Sequence, residues 1–158
     1  MKPLQVPTRA FAPTIELRDS DGHVLRRNDI TLNRDAVYVL VRGACDADPA
    51  HVEEVFAHVK KICDNWQVDL VLGTEEPLHR GALRDEKGAT RERFAGPDAC
   101  AAVLLISAGG ELMDGWRFES GDDLDLEEFR ESVKWLATQE AECGTCHIDE
   151  HWLKSARS

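Results

Sequence analysis

The sequence predicts an α/β domain with a central mixed β-sheet, helices on both faces and an N-terminal β-hairpin. Three observations predict it. The run AVYVLVR, Ala36 to Arg42, is almost unbroken in β-branched and aromatic residues, as in a strand buried on both faces. A second apolar run, VDLVLG from Val68 to Gly73, follows an amphipathic helical stretch after a short connection, the pattern of a right-handed crossover between parallel strands. Two further apolar runs flank Ala108-Gly109-Gly110 and lead into a last helical stripe, which adds a hairpin and a closing helix.

Taken in order, the opening MKPLQVPTRAFAP is broken by Pro3, Pro7 and Pro13 and is expected to be a flexible segment, residues 1–13, with no continuous apolar core of the kind a secretion signal needs. Thr14–Arg18 and His23–Arg27 flank the turn sequence Asp19-Ser20-Asp21-Gly22 and read as the hairpin. After the central strand, Gly43 breaks the run. A helix is then expected with Asp48 as N-cap and Pro49 at its first position. Its stripe is Val52, Val55, Phe56, Val59, Ile62, Cys63 and Trp66, and Cys63, lying on it, is expected to be a buried small hydrophobe.

Residues 74–98 are polar and carry Pro77, Gly81, Gly88, Gly96 and Pro97, so a loop with at most a short helix around Leu83–Phe94 is expected. Ala101–Ser107 and Glu111–Glu119 form the late hairpin. Asp125, with Glu128 three residues on, caps a helix whose Leu126, Phe129, Val133 and Leu136 face the core. The domain accordingly spans 14–141, and residues 142–158 form a C-terminal tail.

Composition narrows the function. In 158 residues, 30 acidic against 19 basic side chains give a formal charge of -11, which repels phosphate backbones and anionic headgroups. Neither nucleic acid nor a membrane is an expected partner. Between Glu111 and Ser132 lie nine carboxylates against Arg117 and Arg130, a solvated face first and a docking surface for a basic protein partner second. No run reaches the roughly 18 to 20 apolar residues that cross a bilayer. The protein is therefore expected in the cytoplasm, where its five cysteines stay reduced unless they cycle or bind metal.

A strand–helix–strand unit followed by a hairpin and a helix is the thioredoxin fold, and from Thr14 to about Ala141 the chain resembles the redoxin, peroxiredoxin-like branch of that superfamily. IELRDSDGHVLRRNDI resembles the redoxin opening, and AAVLLISAGGELMDGWR its late hairpin. The resemblance implies a nucleophilic cysteine just after the central strand, where free backbone N–H groups and a helix dipole stabilise a thiolate. Cys45 holds that place in VRGACDADP. The chain departs from the family around it. Asp48 stands where thioredoxins carry a second cysteine, Arg42 and Tyr38 stand where peroxiredoxins carry threonine and proline, and Ala101, Ala102 and Val103 replace the usual cis-proline. Asp46 and Asp48 raise the pKa expected of the Cys45 thiol, while Arg42, and Arg91 or Arg93 from the variable segment, are candidate positive neighbours.

The second constellation is ECGTCHIDEH near the end of the chain. Cys143 and Cys146 are spaced as a redox pair that resolves an oxidised Cys45 with help from an external thiol reductant. With His147 and His151 they also make a compact zinc set, local enough to call for a site completed across a homodimer. Cys143-Gly-Thr-Cys146-His147 matches a haem attachment sequence too, but attachment ordinarily needs export and a pocket, and the sequence shows neither. The redox reading needs no cofactor. The expected activity is thiol–disulfide or peroxide reduction through Cys45, and the alternative is a non-catalytic binding module on the same fold.

Overall fold

The computed structural model describes residues 1–42, 49–75 and 81–146. Its elements are β1 (Lys2–Pro3), β2 (Ala10–Phe11), β3 (Glu16–Arg18), β4 (Val24–Arg26), α1 (Arg27–Thr31), β5 (Ala36–Val41), α2 (Pro49–Asn65), β6 (Asp69–Thr74), β7 (Leu83–Arg84), α3 (Ala89–Ala95), β8 (Ala101–Ile106), β9 (Glu111–Phe118) and α4 (Leu126–Cys146). The described strands form one sheet in the order β1-β9-β8-β5-β6-β7-β3-β4, with β2 also on β9. β5 lies between parallel β6 and antiparallel β8 along its whole length. Its composition placed it there.

The unbroken apolar run in β5 is explained by alternation between two cores. Tyr38 and Leu40 pack with Leu17, Phe94, Leu104 and Leu112 on the α3 face. Val37 packs with Cys63, Leu105, Trp116, Phe129 and Leu136 on the face that α2 and α4 cover. Trp116 and Phe129 meet edge-to-face, ring centroids 6.4 Å apart, a geometry the ring quadrupoles favour. Gly73 in β6 lets Leu40 close onto the strand, since a Cβ there would stand 2.8 Å from Leu40 Cδ2.

The predicted hairpin, central strand, parallel strand and late hairpin all form, within a residue or two at their ends. The Asp125 cap forms as well: its Oδ1 accepts the Glu127 and Glu128 N–H groups, each at 3.1 Å. Three expectations are corrected. The proline-marked start is not an irregular lead, because β1 and β2 both pair with β9. An edge strand tolerates proline, whose missing N–H points away from the sheet, and Gly115 leaves the notch that Leu4 fills, a Cβ there falling 2.5 Å from Leu4 Cδ1.

Between Leu83 and Phe94, where a loop with at most a short helix is expected, the short helix α3 forms, preceded by a short strand parallel to β6 and a 3₁₀ turn over Glu86–Gly88 in place of plain loop. Buried Asp85 dictates that division by accepting the N–H groups of Thr90 at 2.9 Å and Arg91 at 3.0 Å. Finally, α4 continues through Cys146. The boundary expected at residue 141 falls inside a helix.

Candidate functional site

The carboxyl ends of β5 and β6 and the start of β8 converge at one edge of the sheet. Glu75 donates its backbone N–H to the Val41 carbonyl at 3.2 Å, and Arg42 donates to the Cys100 carbonyl at 2.9 Å. Cys100 in turn donates to the Phe118 carbonyl at 2.7 Å, so this residue, 4% exposed, has its backbone fixed between the end of β5 and the end of β9. Arg42 is half-buried beside it. Cys45 and its neighbours 43–48 lie outside the described residues. Covalent geometry alone keeps the Cys45 Cα within about 11 Å of that of Arg42.

An open cleft of about 350 Å³ lies at this edge. Val39 and Val41 of β5, Leu72 of β6 and Val103 of β8 form its floor, and Val52, Val55 and Phe56 of α2 form its roof. The cleft exists because the apolar stripe of α2 meets the sheet only in its second half: Val59 is 3% exposed and Cys63 0%, but Val52 is 44% exposed. Cys100 lies in its wall, and both ends of the undescribed 43–48 connection start from cleft-lining neighbourhoods, at Val41 and near Val52. Glu53 and the loop carrying Glu119, Asp122 and Asp123 edge the mouth. Lys2 ties two of these carboxylates, reaching Glu119 at 2.7 Å and Asp122 at 3.4 Å, and Arg117 holds Glu119 at 2.9 Å. The Lys2 hydrogen bond lowers the Glu119 pKa, and the Glu119 backbone N–H lowers that of Asp122.

Of the two arginines expected from the variable segment, Arg93 turns away and donates to the Thr14 carbonyl. Arg91 is 2% exposed and faces the Glu75 carboxylate at 3.8 Å and that of Glu92 at 3.9 Å. Among the described residues its Nε and one terminal nitrogen have no hydrogen-bond partner. It stands beside Glu75, whose backbone is bonded to the end of β5. Asp85 lies beneath; burial raises its pKa despite the two N–H bonds it accepts. Sequence reasoning singled out neither Glu75 nor Asp85. An acidic residue just before a helix-forming stretch was the available signal for Asp85.

Cys63 is closed off as expected, and burial pushes its thiol up to about 12. A thiol so far above neutral pH is not a nucleophile. Asp19, Asp21 and His23 converge within 4.8 Å in the first hairpin, where Asp19 accepts the backbone N–H groups of Asp21 and His23. That cluster is the hairpin turn itself.

The helix α4 runs from the cleft toward the other end of the sheet. Leu124, just before α4, lines the cleft, whereas Ser132 donates to Asp114 at 2.8 Å and Trp135 lies under Arg9, 4.8 Å from the guanidinium carbon. Asp114 pairs with Leu105, and Arg9 donates to the Leu112 carbonyl, so both contacts lie at the opposite edge of the sheet. α4 thus leads away from the ends of β5 and β6, and Cys143 comes about 12 Å of helix beyond Trp135 at 1.5 Å per residue. The side chains of Cys143 and Cys146, and all of His147 and His151, lie outside the described residues, so the tail zinc set lies there too.

Together the order of elements and the sheet topology define a domain with the thioredoxin-like fold. By sequence the chain matches no protein-family profile and no curated protein. By structure it is similar to a thiol peroxidase from Chromobacterium violaceum, with a TM-score of 0.59, 13% identity, and coverage of 87% of this chain and 88% of that one. A proposed thiol:disulfide interchange protein DsbE from Chlorobium tepidum superposes with a TM-score of 0.61 at 15% identity, over 84% of this chain and 99% of that one. A yeast mitochondrial 1-Cys peroxiredoxin does so with a TM-score of 0.59 at 14% identity, over 87% and 79%. At these identities the likeness is one of fold.

Proposed function

We propose that the protein is a thiol-based reductase of the redoxin type, acting on a peroxide or a disulfide through Cys45 in a reducing cytoplasm. One observation carries the reading: β5 ends at Val41–Arg42 against Cys100 and Glu75, and α2 starts at Pro49, so Cys45 belongs to the strand-to-helix connection at the edge where the cleft opens. Thiolate-based chemistry is favoured at such a connection by the free N–H groups of a helix start.

In this reading the Cys45 thiolate attacks a peroxide oxygen, the O–O bond breaks, and the leaving oxygen takes a proton to become water or an alcohol. The sulfur becomes a sulfenic acid. A second thiol then condenses with it, releasing water and leaving a disulfide. The external thiol reductant restores both thiols. Arg42 is the cation nearest in sequence to offset Asp46 and Asp48, and Cys143 with Cys146 is the resolving pair. No cofactor takes part.

The test is turnover of hydrogen peroxide and of a model disulfide with a dithiol reductant, in the native protein and in Cys45→Ser. Loss of turnover in the variant is expected; unchanged turnover removes the reading. A second reading, a non-catalytic binding module, draws support from the open cleft and from the substitutions at positions 38, 42 and 48. It predicts no turnover in either protein. Zinc at the tail is a separate alternative, tested by metal content of the native protein against Cys146→Ala.

A further inference from the structure

Lys2 and Pro3 of β1 pair with Arg117 and Trp116, and their side of β9 leads straight into the cleft. Beyond Phe118 the chain leaves β9 as the loop of residues 119–124, which forms one wall of the cleft. The first two residues of the chain hold that loop. Lys2 Nζ reaches Glu119 at 2.7 Å and Asp122 at 3.4 Å, and Asp122 folds the loop on itself by accepting the Glu119 N–H at 2.9 Å. Arg117, opposite Lys2, grips Glu119 at 2.9 Å. The Asp125 N–H donates to Met1 Sδ at 3.5 Å, and Met1 packs on the core that α2 and α4 cover. The loop starts where Cys100 is anchored: Cys100 donates its N–H to the Phe118 carbonyl. Both residues line the cleft, yet Cys100 is only 4% exposed.

We propose that β1 is a latch on this wall: with Lys2 and Met1 engaged, the 119–124 loop stays closed against Phe118 and Cys100, and its release admits small molecules from solvent to the Cys100 thiol. The latch is built to open. β1 is two residues long, and a segment with so few backbone bonds opens far more readily than the sheet behind it. Lys2 and Glu119 are 43% and 42% exposed. A single exposed ion pair holds little, but two cations and two carboxylates here form one network. Salt screens exposed charges, so the latch loosens as ionic strength rises. Ser120 and Asp123 have partners too, so release loosens the wall without unfolding the loop. The device depends on described residues alone and not on the reactivity of Cys45.

The test is the rate at which uncharged iodoacetamide labels Cys100 in the full chain, read by peptide mapping and divided by the rate in the urea-unfolded chain. It is run at about 10 mM and about 1 M sodium chloride, between which the Debye length falls from about 30 Å to about 3 Å. At low salt Lys2→Gln should label Cys100 about fivefold faster than the native protein, the scale of an exposed ion-pair network. High salt should bring the native rate up to that of the variant and leave the variant unchanged. The double variant Glu119→Gln, Asp122→Asn should match Lys2→Gln, and joining the two should add nothing further, because both remove one interaction. Cys63 should stay unlabelled throughout, which marks the opening as local. Equal Cys100 rates in native protein and Lys2→Gln, a salt response that survives in Lys2→Gln, additive effects in the combined variant, or labelling of Cys63 together with Cys100 would each overturn the proposal. Cys45 labelling in the same digests reports on the thiol reading alone.

Discussion

Arg42 gives its backbone N–H to the carbonyl of Cys100 at 2.9 Å, and this one bond fastens the end of the central strand to the start of the antiparallel strand beside it. It brings a second cysteine to the sheet edge from which Cys45 departs. Because Cys100 is bonded on its other side to Phe118, its position is set by backbone pairing and does not depend on the chemistry of its thiol.

Thiol labelling should follow burial. With iodoacetamide on the folded protein at neutral pH, Cys63 should stay unlabelled until denaturant is added, and Cys100 should label slowly through the cleft wall. Cys45, in the thiol reading, should label first. Peptide mapping by mass spectrometry checks the order, and early labelling of Cys63 would contradict its burial.

Cys63 also predicts a pH dependence. Its folded pKa is raised from 9.0 to about 12 by burial, so the unfolded chain loses this proton first as pH rises. The stabilisation is complete below pH 9 and declines from there toward pH 12, by up to about 1.4 kcal/mol per pH unit. Urea midpoints measured between pH 8 and pH 11 should fall more steeply for the native protein than for Cys63→Ala.

Asp85 predicts the opposite experiment in acid. Burial raises its pKa, so the folded state takes up this proton before the unfolded chain does as pH falls toward 3.8. Over that interval the native protein should gain stability relative to Asp85→Asn. Asp85→Ala should cost about 1 to 2 kcal/mol at neutral pH by leaving the Thr90 and Arg91 N–H groups unpaired. Denaturant titrations at two pH values decide both.

The glycine notches can be tested by adding one carbon. Gly73→Ala places a Cβ 2.8 Å from Leu40 Cδ2 and 3.2 Å from Leu17 Cδ2, and should destabilise by about 1 to 3 kcal/mol. Gly115→Ala would set its Cβ 2.5 Å from Leu4 Cδ1 and 2.8 Å from the Val103 carbonyl. It should loosen the first strand, seen as faster proteolysis near Leu4 with the central sheet still protected from hydrogen exchange.

The course of α4 predicts how the tail thiols meet Cys45. A disulfide needs Cα atoms within about 7 Å, and the helix carries Cys143 and Cys146 past the opposite edge of the sheet. Any disulfide from Cys45 to the tail should therefore form between two copies. On non-reducing gels after mild peroxide it should appear as a dimer whose yield rises with protein concentration; a purely monomeric Cys45–Cys143 or Cys45–Cys146 link would require α4 to unwind.

Much of the fold was legible because local pattern and burial coincide. The two-sided core shows in the unbroken run Ala36–Val41, the late hairpin in its double glycine, and α4 in Asp125 and its stripe. Cys63 was legible for the same reason, lying on an apolar stripe that the sheet covers. The N-terminal strands were not, since prolines read locally as breaks, and only the register of β9 and the notch at Gly115 turn Lys2–Pro3 into a paired edge.

The candidate site divides along the same line. Sequence alone determined that a cysteine follows the central strand and that a Cys-x-x-Cys stands near the chain end, because both are properties of residue order. Only the tertiary structure decided that Cys100 sits opposite Arg42, that Arg91 is buried beside Glu75, that α2 stands off the sheet to leave an apolar cleft, and that α4 runs from the cleft to the other end of the sheet. Each of those depends on where whole elements come to rest against one another. That is fixed by packing between residues far apart in the chain, and no local pattern encodes it.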